Sequence, residues 1–185
     1  MVAEVSTMQA LGTPSGGFTL TDVSTNTSIS LSSKIKKPVL LMFICNHCPY
    51  VLHIMNELTE LANQAQSNGF FVAAISSNDI ERYPQDAPEK MALFAKDHGF
   101  NFPYLYDESQ SVAKSYSAVC TPDFFVYDDK HKLVYRGQMD TSRPNNSIPV
   151  TGNELNTALT AILNGAKPPL NQTPSIGCSI KWKNK

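Results

Sequence analysis

The sequence lacks the features that mark a nucleic-acid-binding or membrane protein. Its formal net charge is −1, from 15 basic and 16 acidic side chains. No block of basic residues offers a footprint for nucleic acid or an anionic membrane. The longest apolar run, Val39 to Ile44, is far too short to span a bilayer. We therefore expect no nucleic-acid partner and no membrane partner.

The amino-terminal residues show no export signal, because they contain an early acid, Glu4, and lack both a basic and a long apolar segment. Cysteine is scarce, with four in 185 residues. In a cytoplasmic chain of this size, a few cysteines favour redox or metal chemistry over structural disulfides. These absences predict a cytoplasmic protein.

The stretch from Pro38 to Tyr50 carries the most informative pattern in the chain. Six consecutive apolar residues, Val39 to Ile44, predict a strand that is buried on both faces. After them, apolar residues recur every three or four positions and predict a helix over about Cys48–Ser67. Cys45 and Cys48 therefore lie where a buried strand gives way to a helix.

This position favours thiolate chemistry. Unpaired N–H groups and the positive end of the helix dipole stabilise a thiolate relative to a thiol, and a protonated His47 would act in the same direction. The spacing of Cys45 and Cys48 lets the pair cycle between dithiol and disulfide. We predict Cys45 as the attacking sulfur, held as a thiolate, and Cys48 as the resolving sulfur.

Half of a zinc site is an alternative interpretation of this pair. A structural zinc site needs a second pair of ligands at short spacing, and neither Cys120 nor Cys178 belongs to such a pair. A metal-binding or redox-sensing module that uses Cys45, Cys48 and His47 stays open as a non-enzymatic hypothesis. We predict no resident metal and no organic cofactor.

The rest of the pattern predicts a single α/β domain over residues 1–185. Residues 1–17 are predicted to be an irregular lead-in, and residues 166–185 a tail along the surface. The elements predicted between them are hairpin strands at Phe18–Thr21 and Ile29–Leu31, strands at Phe70–Ile75, Phe124–Tyr127 and Leu133–Arg136, and helices that end near His98, Tyr116 and Leu163.

The loop over Ser76–Ala87 leaves the same edge of the predicted sheet as the cysteines. Ligands collect at that edge in open α/β sheets, so Asn78, Arg82 and Tyr83 are candidates for the rim of a site, unless this is an ordinary connecting loop. Asp86, near the end of the loop, is predicted to cap the next helix.

Three segments of the chain carry a family resemblance. They read Phe-Ile-Cys-Asn-His-Cys-Pro-Tyr-Val from residue 43, Val-Cys-Thr-Pro-Asp-Phe-Phe-Val-Tyr-Asp from residue 119 and Gly-Cys-Ser-Ile-Lys-Trp-Lys from residue 177. Together they resemble the peroxiredoxin-like branch of the thioredoxin-fold proteins, the thiol-specific antioxidant and redoxin group. The similarity runs from about Leu11 to Lys183.

The resemblance implies a thioredoxin-like fold, in which helices flank a central mixed β-sheet, with an amino-terminal β-hairpin extension and a carboxyl-terminal tail. It implies that Thr121 and Pro122 form a cis-proline loop that faces the dithiol, presents backbone groups to an extended substrate and keeps metal away. Cys120 is then either a third redox thiol near the pair or a small core residue. Cys178 is either a distant resolving thiol in a mobile tail or a residue that packs against Trp182.

The chain departs from the family patterns at three positions. Peroxiredoxins carry a proline and a threonine upstream of the reactive cysteine, and here Pro38 has the right offset from Cys45 while Met42 takes the threonine position. Thioredoxins carry tryptophan before the first cysteine, where this chain has Ile44. The strand over Val39–Ile44 also lacks the buried acid that thioredoxins use in proton transfer.

The resemblance implies an enzyme, and we predict a thiol-disulfide oxidoreductase. Its substrate would be a disulfide of a protein or a small molecule, and a separate thiol reductant would supply electrons. Reduction of a hydroperoxide by the same cysteines is the alternative. Arg136 and Arg143 are available to polarise a peroxide oxygen, yet arginines also form ordinary surface ion pairs. Neither is assigned a catalytic role.

Overall fold

The computed structural model describes residues 3–184, which form a mixed α/β fold. Its helices are α1 (Pro49–Ser67), α2 (Pro88–Asp97), α3 (Ser111–Ser115) and α4 (Asn153–Leu163), with a 3-10 turn at Pro84–Asp86. Its strands are β1 (Ala3–Val5), β2 (Phe18–Asp22), β3 (Ser28–Leu31), β4 (Val39–Phe43), β5 (Phe71–Ser76), β6 (Tyr104–Tyr106), β7 (Cys120–Thr121), β8 (Asp123–Tyr127), β9 (Leu133–Gly137) and β10 (Ile176–Ser179). Within this part of the chain, every helix is too short or too polar to cross a bilayer.

Seven strands form the main sheet, in the order β3-β2-β6-β5-β4-β8-β9. β4 lies in its interior, parallel to β5 and antiparallel to β8. β6 continues the parallel pairing with β5, whereas β9 and the β2–β3 hairpin add antiparallel strands at the two sides. The predicted central mixed sheet and the predicted amino-terminal hairpin are therefore confirmed.

The interior strand β4 is apolar throughout because each of its faces belongs to a different core. All five of its residues are buried. Side chains alternate along a strand, so Leu40 and Met42 pack in one core with α1, while Leu41 and Phe43 pack in the other with α3. Helices on both faces thus hold the end of β4 firmly, and this is the end from which the two cysteines follow.

A second sheet, with the order β1-β10-β7, corrects the prediction for both ends of the chain. The lead-in predicted to be irregular, residues 1–17, contains β1, and the tail predicted along the surface, residues 166–185, contains β10. Residues 1, 2 and 185 lie outside the described residues. β10 pairs with β1 on one side and β7 on the other, and its two middle residues, Gly177 and Cys178, are buried. Strands this short carry too little periodicity to be recognised from sequence.

Gly177 lets β10 approach β7 closely. A Cβ atom at this position would lie 1.9 Å from the carbonyl oxygen of Thr121 and 3.0 Å from the nitrogen of Pro122. These are backbone atoms, which cannot rotate away as a flexible side chain can. The glycine is therefore required by the contact between the last strand and the loop before Pro122.

A buried ion pair joins β8 and β9 to the amino-terminal segment. Asp123 and Arg136 are both fully buried, and Arg136 Nη2 lies 3.3 Å from Asp123 Oδ2. Ser6 Oγ donates to the same carboxylate oxygen at 3.1 Å, and Arg136 Nη2 also donates to the carbonyl oxygen of Ser117 at 2.7 Å. Burial raises the pKa of Asp123 to about 6, although Arg136 and Ser6 act in the opposite direction.

We expect the Gly177→Ala substitution to lower the free energy of unfolding by about 1–3 kcal/mol, because an added methyl group must push two backbone segments apart. Urea unfolding measures this change. Gly16→Ala is the matched control, since its Cβ would meet its nearest neighbour, a ring carbon of Tyr116, at an ordinary 3.5 Å. Equal effects of the two substitutions would contradict the close-contact explanation.

We expect Asp123 to make the protein less stable as the pH rises from about 4 to about 6. The folded carboxyl titrates near 6, against an ordinary value of 3.8. In this window the folded state holds a proton that the unfolded chain has released, so the free energy of unfolding falls with rising pH. Two pKa units correspond to about 3 kcal/mol.

The measurement is urea unfolding of the wild type and of Asp123→Asn at several pH values. The variant cannot titrate at this position, so the difference in unfolding free energy between the two proteins should change between pH 4 and 6. A difference that is constant across this window would show that Asp123 does not titrate there.

Candidate active site

Cys45 and Cys48 lie between β4 and α1, where the sequence predicts them. β4 ends at Phe43, and Cys45 follows with 1% of its surface exposed. Cys48 is the N-cap residue of α1, is fully buried, and precedes Pro49 in the first turn, where a missing N–H costs no helical hydrogen bond. The two cysteine side chains are buried in the same core, and each shifts the pKa of the other. Neither is in a disulfide, so the structure shows the dithiol form.

The peptide bond between Thr121 and Pro122 is cis, as the family resemblance implies. Thr121 contacts both sulfurs of the pair. Its Oγ1 lies 3.5 Å from Cys45 Sγ, and its carbonyl oxygen accepts a hydrogen bond of 3.1 Å from Cys48 Sγ. The loop that begins at Thr121 therefore faces the dithiol.

Of the two further cysteines, the structure brings Cys178 to the pair. Cys178 is directly opposite Thr121 in the pairing of β10 with β7, is buried in the same core as Cys45 and Cys48, and is the first cause of the lowered pKa of Cys48. The interpretation of Cys178 as a residue of a mobile tail, far from the pair, is therefore wrong. Its position was missed because it depends on a pairing between the two ends of the chain.

The side chain of Cys120 lies on the face of β7 that points away from the dithiol. Adjacent residues of a strand point to opposite faces, and Thr121 is the one that faces the dithiol. Cys120 Sγ instead lies 3.9 Å from the carbonyl oxygen of Pro122. Burial is the main cause of a raised pKa for this thiol, which favours the inert thiol form. The position supports the small-core interpretation over that of a third redox thiol.

His47 contacts the carboxylate of Asp86, a residue that the sequence predicted to be a helix cap. Its Nδ1 lies 2.6 Å from Oδ2 of Asp86, which is fully buried. Asp86 also accepts hydrogen bonds from the backbone N–H of Asn46 at 2.9 Å and from Asn78 Nδ2 at 2.8 Å. The prediction of Asp86 as a helix cap is wrong, because α2 has Ala87 as its N-cap, without a side-chain cap bond. The carboxylate that is lacking on β4 thus reaches the site from a loop.

Of the three rim candidates in the loop after β5, Tyr83 lies partly exposed beside His47, whereas Asn78 is buried against Asp86. The ring of Tyr83 stacks on that of His47, with centroids 5.4 Å apart and planes 6° apart. Lys181 Nζ lies 5.7 Å from the Tyr83 ring. Arg82 points away, since its Nη1 donates to Asn184 Oδ1 at 3.3 Å. An aromatic and basic layer therefore covers the approach to His47.

Tyr104 is a further residue near the site that the sequence analysis did not single out. It lies fully buried on β6, and its hydroxyl donates to Asn46 Oδ1 at 3.1 Å. Burial raises its pKa, and the charges of Cys45 and Asp86 raise it further. The only sequence feature that could have pointed to Tyr104 as a site residue is its position on a predicted strand after β5.

The two thiols of the pair have opposite pKa shifts. The pKa of Cys45 is raised, first by its hydrogen bond with Cys48, then by burial, and then by the negative charge of Asp86. The pKa of Cys48 is lowered to about 2, chiefly by hydrogen bonds from Cys178 and Cys45, which outweigh its burial. The charge therefore favours Cys48, whereas the sequence predicted a thiolate at Cys45. The reason is that interactions with Cys178 and Cys45 favour the anion of Cys48, whereas the interaction with Cys48, burial and the charge of Asp86 all disfavour the anion of Cys45.

The arginines are engaged away from the sulfurs. Arg136 is buried with Asp123, and Arg143 Nη1 donates to the carbonyl oxygens of Asp140 and Ser142, each at 2.7 Å. Peroxiredoxins position a peroxide with a hydroxyl group and a guanidinium group. Here the hydroxyl of Thr121 lies beside Cys45 Sγ, but neither Arg136 nor Arg143 is directed toward the sulfurs.

The site also contains three side chains that could bind a metal ion. Single donor atoms of Cys45, His47 and Asp86 lie within 4.8 Å of one another. A thiolate, an imidazole and a carboxylate are ligands that zinc accepts. In this structure, however, His47 and Asp86 already contact each other, so an ion would have to separate them.

We expect Asp86→Asn to lower the pKa of Cys45, because it removes a negative charge that disfavours the thiolate. The pH dependence of Cys45 alkylation by iodoacetamide, followed by mass spectrometry, measures this change. Asp79→Asn is the control, since Asp79 is a buried acid of the same loop that is not among the charges acting on Cys45. A midpoint that stays in place or moves to higher pH in Asp86→Asn would contradict this assignment.

Comparison with solved structures shows two close relatives over the whole chain. An uncharacterised conserved protein from Geobacillus kaustophilus is 51% identical, with 100% of this chain and 98% of that chain covered and a TM-score of 0.96. A hypothetical protein from Sinorhizobium meliloti is 42% identical, with 98% and 99% covered and a TM-score of 0.93. No curated protein matches the sequence significantly.

More distant structures share the fold. A secreted disulfide oxidoreductase from Mycobacterium tuberculosis is 20% identical, with 78% of this chain and 95% of that chain covered and a TM-score of 0.59. The model of the AhpC/TSA family matches residues 11–136, which is more than half of the chain. The chain therefore belongs to the AhpC/TSA family, and family and fold together identify it as an oxidoreductase of the thioredoxin-like class.

Proposed function

We propose that the protein is a thiol-disulfide oxidoreductase in which Cys45 and Cys48 alternate between dithiol and disulfide. The observation that carries this proposal is that both sulfurs, at the start of α1, contact the same residue: Thr121 Oγ1 lies 3.5 Å from Cys45 Sγ, and the carbonyl oxygen of Thr121 lies 3.1 Å from Cys48 Sγ. A disulfide between Cys45 and Cys48 closes a small ring, because only two residues separate them. The amino terminus of the helix stabilises the thiolate that starts the exchange.

The charge distribution suggests an order of events. The Cys48 thiolate attacks one sulfur of a substrate disulfide, and the other substrate sulfur leaves as a thiolate. The Cys45 thiol then loses its proton and attacks Cys48 Sγ, which closes the Cys45–Cys48 disulfide and releases the second substrate thiolate. The nearby pair of His47 and Asp86 is placed to receive the Cys45 proton through one water.

The substrate of this proposal is a protein or small-molecule disulfide, and a separate thiol reductant restores the dithiol. The proposal requires no organic cofactor, nucleic acid or membrane. The cytoplasm is the proposed compartment, because a dithiol that works as a reductant needs a reducing thiol pool.

Hydroperoxide reduction is a second candidate, favoured by the hydroxyl of Thr121 at 3.5 Å from Cys45 Sγ. The engagement of Arg136 and Arg143 elsewhere argues against it. A stopped-flow assay decides between the two functions. A peroxide reaction no faster than that of a free thiolate would exclude the peroxidase, whereas a rate several orders of magnitude faster would support it.

Metal binding is a third candidate, favoured by the donor atoms of Cys45, His47 and Asp86. Zinc or copper in a one-to-one ratio in the purified, reduced protein would support it. Metal-free reduced protein that also takes up no zinc on titration would exclude it.

We expect Cys45→Ser and Cys48→Ser each to lose disulfide reductase activity by at least about 100-fold, since each removes one sulfur of the exchange. Reduction of insulin or of a small aromatic disulfide, driven by a dithiol, measures this loss. Cys120→Ser is the matched control, because it changes a buried cysteine that faces away from the pair. Indistinguishable rates for the wild type and the two variants of the pair would reject the mechanism.

A related set of variants identifies the attacking sulfur. Because the lowered pKa belongs to Cys48, we expect Cys45→Ser combined with Cys178→Ser, which lacks both thiols that neighbour Cys48, to accumulate a mixed disulfide with the substrate at Cys48. Accumulation in Cys48→Ser, at Cys45, would instead support the order predicted from the sequence. Mass spectrometry of the trapped adducts distinguishes the two results.

A further inference from the structure

β10 brings a third sulfur to the dithiol. Cys178 is directly opposite Thr121 in the strand pairing, and the carbonyl oxygen of Thr121 accepts a hydrogen bond of 3.1 Å from Cys48 Sγ. Cys45, Cys48 and Cys178 are buried in the same core. Cys48 therefore has two neighbouring thiols, those of Cys45 and Cys178.

We propose that Cys178 is a third redox-active residue of this site, which displaces Cys45 from the Cys45–Cys48 disulfide and forms a Cys48–Cys178 disulfide. This inference rests on the proposed function, because the Cys45–Cys48 disulfide is its starting point. It adds a second oxidised form of the enzyme, in which the last strand of the sheet is joined covalently to the start of α1.

The exchange is an isomerisation and needs no further oxidant or reductant. Cys178 loses its proton and attacks Cys48 Sγ, so a bond forms between these two sulfurs. The bond between Cys45 and Cys48 breaks, and Cys45 leaves as a thiolate. The proton released by Cys178 ends on Cys45. One disulfide is present before and after the step, and the protein gains and loses no electrons.

The position of Cys178 is built by the strand pairing and does not depend on a flexible tail. β10 is paired on both sides, with Ala3 opposite Cys178 on β1 and Thr121 opposite it on β7. Gly177, the preceding residue, permits the close approach to Thr121. Cys178 and Cys48 are both buried, so exchange between these two sulfurs needs no access to solvent.

The segment after β10 links this thiol to the rim of the site. Lys181 donates its backbone N–H to Asn78 Oδ1 at 2.8 Å and accepts a hydrogen bond from the N–H of Asp79 at 2.8 Å. Its side chain lies beside the ring of Tyr83. A disulfide at Cys178 would therefore restrain β10. The chain continues from this strand to Lys181, which lies beside Tyr83 and next to the loop that carries Asp86.

The test is disulfide mapping of the full-length protein after oxidation by one equivalent of diamide. The reduced wild type, Cys45→Ser, and Cys45→Ser combined with either Cys178→Ser or Cys120→Ser are oxidised, alkylated and digested. We expect Cys45→Ser to yield an intramolecular Cys48–Cys178 disulfide. This disulfide should be lost in the Cys178→Ser double variant and retained in the Cys120→Ser double variant, in which the removed cysteine faces away from Cys48.

In the wild type we expect both disulfides, Cys45–Cys48 and Cys48–Cys178, to be recovered. If Cys45→Ser stays fully alkylatable, or links Cys48 to Cys120 or to another molecule, the proposal is overturned while the Cys45–Cys48 cycle still stands. If the wild type forms no Cys45–Cys48 disulfide, the proposed function itself fails.

Folding is monitored separately, so that a displaced strand is not mistaken for a chemical effect. Cys178→Ala serves as a second variant, and hydrogen exchange of β10 reports whether the strand stays paired. Hydrogen exchange of β10 is therefore also measured in Cys45→Ser before oxidation. A Cys48–Cys178 disulfide that forms while β10 is paired supports the proposal, whereas one that forms only in protein whose β10 is unpaired would overturn it.

Discussion

The pairing of β10 with β7 is the constraint on which the site depends. It holds Thr121 from one side, while the two oxygen atoms of Thr121 contact the sulfurs of Cys45 and Cys48 on the other. It also places Cys178 beside Cys48. Gly177 makes the pairing sterically feasible. The last strand of the chain thus completes a site whose dithiol comes from the first third of the sequence.

The thiols of Cys45 and Cys48 are neighbours, yet their pKa values are shifted in opposite directions. Interactions with Cys178 and Cys45 lower the pKa of Cys48, whereas the interaction with Cys48, burial and the negative charge of Asp86 raise that of Cys45. Titratable groups whose environments push their pKa values apart are the usual basis for a division of roles in catalysis. The asymmetry arises from the donors around each sulfur, because both sulfurs are buried to a similar extent.

Membership of the AhpC/TSA family does not require that every feature of a peroxidase be present. Met42 occupies the position at which peroxiredoxins carry threonine, and Arg136 is buried against Asp123. The hydroxyl of Thr121, from a different part of the chain, stands beside Cys45 instead. A buried acid near the dithiol is likewise supplied by the loop residue Asp86. The site therefore combines the family fold with the parts that a dithiol exchange needs.

The buried strand, the helix that follows it and the position of Cys45 and Cys48 between them can all be predicted from the order of the residues, because hydrophobic periodicity and helix-start signals are local. The role of Asp86 cannot, since this residue satisfies the local rules for a helix cap and yet turns its carboxylate toward Asn46 in the folded protein. The same holds for the finding that Cys178, and not Cys120, lies beside the dithiol. That choice depends on a strand pairing across more than fifty residues, which no local pattern encodes, and on the alternation of side chains once the pairing is made.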